Sequence, residues 1–289
     1  MRFFQTAVIA IIAALVTVLA LKLFPAPGTA SVADTQAAFE RVMKTRTIRC
    51  AYSVWTPYIT IDPNTGAKSG FAYDIFEQVG HILGMKVEWT EEVPYSQVAD
   101  NLSSGRNDAM CMTLWPSGNR AGALDFTAPI DYIGAYAFAR TDDARFDGNL
   151  AKINDPSVTV SVMDGDYTKS IPDEDYPKAK QYDLSMDSDG AQLLLAVTTK
   201  KADIAFTDPF LAGDFMKNNP GTLKQVPGVA PVRVYGDVFA VAKGETKLRD
   251  MIDVALYQLN QSGYIRATLD KYLGEHKGMY FYPAQPYEK

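Results

Sequence analysis

Apolar and polar positions along the chain alternate between two periods, and their order predicts the fold. TIRCAYSV (47–54) reads as a buried strand and DPNTG (62–66) as a turn. In GFAYDIFEQVGHILG (70–84), Phe71, Ile75, Val79, Ile82 and Leu83 share one helical face, and Gly84 ends the helix. KVEWTEEV, YSQVADNLSSG and DAMCMTL then read as strand, helix and strand. In PSGNRAGALDFTAP (116–129) a short helix is expected before the Asp125-Phe126 corner, with Arg120 in its first turn. Alternating strands and helices imply parallel pairing with right-handed crossovers.

IGAYAFAR (133–140) is a further strand, and the polar TDDARFDGN after it looks like a boundary. A second α/β pattern follows: strand SVTVSVMDG (157–165), a loop rich in Asp and Pro, helix DGAQLLLAVTTKKA (189–202), strand DIAFTDPF (203–210) and a short helix ending at NNPG. VRVYGDVFAVAKG (232–244) returns as extended chain, and two helices close the pattern, with Leu248, Ile252, Ala255 and Leu259 in one stripe. Residues 276–289 have prolines and aromatics without a period, and are expected as a tail laid on the surface.

The N-terminus carries Arg2, an apolar run from Ala7 to Leu21, and the small-x-small stretch Ser31-Val32-Ala33. Residues 1–33 are therefore read as a signal peptide, or as a retained N-terminal anchor, and either places the rest of the chain outside the cytoplasm. No cysteine sits just after the run to accept a lipid there. The chain is 47% apolar and 21% charged, an ordinary globular balance, and 289 residues suffice for one large domain or two of middling size.

The formal net charge is −6. Residues 1–33 hold two bases and no acids, so 26 bases would remain against 34 acids, a charge of −8. Together with a pI near 5.0 and no basic cluster, this argues against a nucleic-acid partner. His81 and His276 stand alone, so neither a histidine metal site nor a histidine triad is expected. No metal or cofactor is called for.

Five local motifs stand in order: WTPY (55–58), GFAYDI (70–75), SSGRNDAM (103–110), RAGALDFTAPI (120–130) and ALYQLNQSGYIRATLDKYLG near the end. Each is weak alone, but their joint order and spacing resemble the type 2 periplasmic solute-binding proteins, family 3, the polar-amino-acid-binding group. The resemblance covers about residues 46–275. It implies an α/β, two-lobed (Venus-flytrap) fold, each lobe a mainly parallel sheet flanked by helices. Lobe 1 is expected at 46–136 plus 236–275 and lobe 2 at 142–230, with crossings near 137–141 and 231–235 and ligand held between the lobes.

The same resemblance implies site residues. The arginine five positions before Asp-Phe is Arg120, whose planar guanidinium suits a ligand carboxylate; the alternative is a salt bridge to an acid such as Asp125. Asp208 in FTDP matches the partner of the ligand's α-ammonium, or it is only an N-cap for helix 209–217. Trp55 and Tyr95 match the aromatic positions that sandwich a ligand side chain, with Tyr58 behind them or in the core. Thr113, Trp115 and Tyr52, and Tyr167 and Thr168 in the second-lobe loop, complete the set.

Three of these positions depart from the family. Thr113-Leu114-Trp115 replaces Gly-x-Thr, Tyr52 replaces a polar or acidic group, and Gly165-Asp166-Tyr167-Thr168 puts an acid where an anion-binding loop is usual. The pocket is therefore expected to be more aromatic and less hospitable to carboxylates than a standard amino-acid binder. Cys50 and Cys111 fall on neighbouring strands and are either disulfide-bonded or two buried thiols.

The function implied is an extracytoplasmic binding protein, a monomer, that captures an amino acid or related small solute and delivers it to an ABC-type permease in the inner membrane. A cyclohexadienyl (prephenate/arogenate) dehydratase-like enzyme and a membrane-anchored sensory module are the alternatives. For the enzyme, an acid would have to come from Asp74, Asp166, Asp208 or a glutamate.

Overall fold

A computed structural model describes residues 36–274 and 280–283. The expected signal segment lies outside the described residues. Among those residues no helix is long and apolar enough to cross a membrane.

After helix Ala37–Thr45, strands β1 (Thr47–Tyr52), β4 (Lys86–Glu92) and β5 (Ala109–Leu114) form a parallel trio with β1 in the middle. The short hairpin β2 (Thr60–Ile61) and β3 (Lys68–Ser69) precedes helix Phe71–Leu83. Every residue of β5 is buried, as expected of a strand covered on both faces. Gly70 opens the helix at φ 128°, and a Cβ there would sit 2.2 Å from the Tyr58 carbonyl oxygen. No other residue fits that turn, which explains the Gly-Phe pair physically.

Strand β6 (Leu124–Phe126) follows the arginine segment. The chain then enters β7 (Asp131–Arg140) and comes back much later on β12 (Arg233–Ala242). Between these crossings lie β8 (Thr159–Met163), β9 (Lys180–Leu184), β10 (Ile204–Thr207) and β11 (Leu223–Gln225), with helices Tyr167–Asp175, Ala191–Thr198 and Pro209–Asn218. Helices Thr246–Gln261 and Tyr264–Leu273 return to the first sheet, and β13 (Tyr280–Phe281) ends the described chain.

The strand order is β4-β1-β5-β12-β7-β10-β8-β9. Each half is thus a parallel trio, bounded by an antiparallel crossing strand. The halves meet where Asp131–Ala135 pairs with Arg233–Asp237. Residues 136–139 of β7 already pair with β10, so this strand enters the second sheet directly after the ribbon.

One apolar cluster fills the first half, around Phe71, Phe76, Met110 and Phe239. Two clusters cover opposite faces of the second sheet. Ala137, Ile204 and Phe206 face one, whereas Phe138 and Ala205 face the other, the alternation that a strand requires.

Cys50 and Cys111 form a disulfide with Cα atoms 5.4 Å apart, within the span that a disulfide bridges. Two expectations change. The Asp- and Pro-rich loop after β8 contains a helix, Tyr167–Asp175, and strand β9. At the other end, β13 pairs with β7 at Ile133 and Tyr132, and Tyr280 is buried, so this part of the tail is built into the ribbon.

Candidate functional site: the cleft between the two halves

The loops at the C-terminal ends of the parallel strands surround a cleft of about 880 Å³. Its first wall is aromatic and comes from the segments after β1, β4 and β5, with Trp55, Tyr58, Tyr95 and Trp115. Arg120 extends from the single turn Gly118–Ala121 that follows. That turn has four residues and belongs equally to both helix ends, so a cation in it meets no distinct positive helix N-terminus. Asp125 is also not its partner, because it accepts from Lys243 Nζ and from the Gly244 N–H, each at 2.8 Å. Among the described residues, Arg120 donates from Nη1 to the Trp115 carbonyl at 3.1 Å and enters no ion pair. Its charge is felt by Asp166 and Tyr95 without pairing with either.

The opposite wall is acidic. Asp208 is buried, and its Oδ1 accepts from the Leu211 N–H at 2.8 Å, capping helix Pro209–Asn218. Asp208 therefore caps the helix, as one sequence reading had it, and also lines the cleft. Burial pushes its carboxyl up to about 6. Asp166 caps helix Tyr167–Asp175 by accepting from the Thr168 N–H at 2.9 Å, and burial raises its pKa too. Thr168 Oγ1 turns inward and accepts from the Met163 N–H at 2.9 Å.

Of the residues singled out from the sequence, the cleft brings together Arg120, Asp208, Trp55, Tyr95, Tyr58, Thr113, Trp115, Tyr167 and Thr168. Tyr52 is the exception. It is buried edge-on against Trp89, 6.0 Å between ring centres, and Lys68 Nζ lies 4.8 Å from its ring centre. Tyr52 belongs to the apolar cluster of the first half. Asp74, weighed as an acid for catalysis, lies away from the cleft and accepts from Lys271 and Tyr272, each at 2.8 Å.

Sequence reasoning missed the floor. Asp237 lines it, almost fully buried, accepting from Tyr58 Oη at 2.7 Å and from Trp115 Nε1 at 2.6 Å. Burial pushes its carboxyl up to about 7. Behind it, on the paired strand, stands Asp131, fully buried and also raised by burial and by the Asp237 charge. The available signal was an aspartate inside each of two otherwise apolar strand runs, PIDYIGAYAF and VYGDVFAVA.

The walls also touch each other. Trp115 packs on Tyr167 with ring centres 3.8 Å apart, and it stacks on Tyr235 of the ribbon at 5.3 Å. Gly190 lies under Trp55, where an added Cβ would come within 2.6 Å of the indole. Ser96 Oγ donates to Asp187 Oδ2 at 2.6 Å. The lining therefore combines one cation with the carboxylates of Glu92, Asp166, Asp187, Asp189, Asp208, Asp214 and Asp237. Such an enclosure suits a small solute with a carboxylate for Arg120 and positive groups for the rest.

A protein from Haemophilus influenzae (strain ATCC 51907 / DSM 11121 / KW20 / Rd), described as a probable amino-acid ABC transporter-binding protein, is 23% identical over 239 residues, covering 81% of this chain and 88% of its own length. The crystal structure of the ancestral amino acid-binding protein AncCDT-1, a precursor of cyclohexadienyl dehydratase, superposes with a TM-score of 0.66 at 24% identity, covering 81% of this chain and 97% of that one. The periplasmic VFT2 domain of Bordetella pertussis BvgS reaches 0.69 at 16% identity, over 81% and 97%. A family model matches residues 48–275, from the first strand through both walls of the cleft to the last helix, and the chain accordingly belongs to the bacterial extracellular solute-binding proteins, family 3.

Proposed function

We propose that the protein captures an amino acid between its two lobes outside the cytoplasm and delivers it to an ABC-type permease in the inner membrane. The reading rests above all on Arg120. It is a cation held in the cleft with no carboxylate partner among the described residues, facing a wall that carries Asp208. In this reading the ligand carboxylate completes Arg120, and its α-ammonium meets the carboxylate of Asp208, which lines the opposite wall. Trp55 and Tyr95 close over the side chain. The H. influenzae relative supports the transport role, since it is described as a probable amino-acid ABC transporter-binding protein.

A thermal-shift screen of the purified protein against the amino acids, with prephenate and arogenate alongside, tests this. A ligand at 100 times its Kd should add about 2.7 kcal/mol of stability. Recovery of the ligand unchanged is the expected result. Consumption of prephenate or arogenate would instead establish the dehydratase reading.

A further inference from the structure

Asp131 and Asp237 face each other as register partners on the two strands that join the lobes. Like charges directly opposite on paired strands repel, and both side chains here are out of water. Among the described residues, no N–H or O–H reaches either oxygen of Asp131. Its carboxyl interacts instead with that of Asp237. Two adjacent buried carboxylates cannot both stay ionised, so in the empty cleft the pair retains a proton.

The groups facing the pair are Tyr58 and Tyr280, with Asp208 and Tyr95 further across the cleft, and none of these is a cation. Trp115 supplies an N–H to Asp237, and its own carbonyl accepts from Arg120. One residue thus ties the carboxylate-binding arginine to the acidic floor. Asp237, unlike Asp131, lines the cleft, so a bound solute can reach it.

We propose that Asp237, backed by Asp131, is the subsite for a second, distal positive charge on the ligand, so that the cleft selects an amino acid with a basic side chain over its neutral isostere. This rests on the amino-acid reading above, in which Arg120 and Asp208 hold the α-carboxylate and α-ammonium. The distal cation takes over the neutralising role of the retained proton, and that proton leaves to solvent. Affinity for a basic ligand therefore rises with pH through about 7, as Asp237 becomes easier to ionise.

The test is calorimetry of the purified protein with L-arginine and L-citrulline, which match in shape and differ in the distal charge. The expected result is arginine binding about 100-fold or more tightly than citrulline. Near pH 7 its apparent enthalpy should also vary with the ionisation enthalpy of the buffer, marking proton release, and citrulline should show a much smaller variation, from the minor protonated fraction of Asp208 alone. Asp237→Asn should bring arginine down to the affinity that the same variant shows for citrulline, so that the preference for arginine disappears. The buffer experiment uses the unaltered chain, so it decides the matter even if the variant misfolds.

Equal affinity for arginine and citrulline in the unaltered protein would overturn the proposal, as would an equal loss of both in Asp237→Asn, which marks a purely positioning role. Either result leaves the amino-acid reading standing. If no α-amino acid binds at all, that reading fails, and the distal subsite with it.

Discussion

The two walls of the cleft solve the same problem with different chemistry. The first lobe offers rings and a single guanidinium, on loops that leave the ends of parallel strands. The second offers carboxylates, and its two deepest, Asp166 and Asp208, are fastened as helix caps. An arginine without a carboxylate partner is ready to accept an anion as it stands. A capping aspartate is already half satisfied and rigidly aimed, so it adds direction at little entropic cost. The first wall would then supply most of the grip and the second most of the orientation.

Removing the guanidinium should break that division most severely. Arg120→Ala is expected to weaken binding by about 2–5 kcal/mol, roughly 30-fold to several-thousand-fold, without unfolding the chain, because Arg120 is only half-buried. Asp208→Asn keeps a side-chain acceptor for the Leu211 N–H and should cost less. Calorimetry with circular dichroism on the same samples reads both effects. If Asp208→Asn proves the more damaging, the roles of the two walls are reversed.

The lobes also differ in how they are held together. The disulfide lies wholly within the first sheet, and it closes a loop of 61 residues. Reducing it should destabilise that lobe by roughly 4 kcal/mol on the chain-entropy estimate. Hydrogen exchange should then quicken in β1 and β5 well before β8 and β10. A uniform loss of protection would show instead that the two lobes unfold as one unit.

The sequence announced the first wall far more clearly than the second, for physical reasons. Trp55 and Arg120 sit among short motifs whose residues also serve the backbone, such as the glycine before Phe71 that clears the Tyr58 carbonyl. Helix Tyr167–Asp175 escaped notice because YTKSIPDED has a proline inside it and little apolar period. Its burial comes from Ile171 and Tyr167 packing on strands distant in sequence. Asp131 and Asp237 carry a different lesson. An acid within an apolar strand is legible, but only the pairing of the two strands shows that the acids meet. Tyr52 was named for a position that is polar or acidic in the family, and an aromatic ring at that position packs into the core against Trp89 instead.

Acidity gives a third way to separate the walls. Asp208 is raised from 3.8 to about 6, and Asp237 to about 7, both chiefly by burial. A carboxyl raised by folding binds its proton more tightly in the native state. Its stabilising contribution is therefore complete below the unfolded value and lost as pH rises through the folded value. The ligand-free protein should lose stability between about pH 4 and pH 7, and the shift at Asp208 alone corresponds to roughly 3 kcal/mol. Thermal melts across that range should show the decline, and a saturating basic ligand should flatten its upper part. A melting temperature that climbs steadily from pH 4 to pH 7 would mean that these carboxylates are ionised and paired in the native state.

The smallest expected effect lies at the rim, where the walls touch. Ser96 donates to Asp187 from Oγ at 2.6 Å and from its N–H at 3.3 Å, and both residues are exposed. Exposed contacts of this kind contribute under about 1 kcal/mol, so Ser96→Ala should weaken binding by no more than about fivefold. The contact joins the two lobes, so its loss should show in how fast the lobes reopen rather than in how fast ligand enters. Stopped-flow traces should record a faster dissociation with an unchanged association rate. A slower association would place Ser96 in the recognition of the incoming solute, and the acidic wall would then begin its work at the mouth of the cleft.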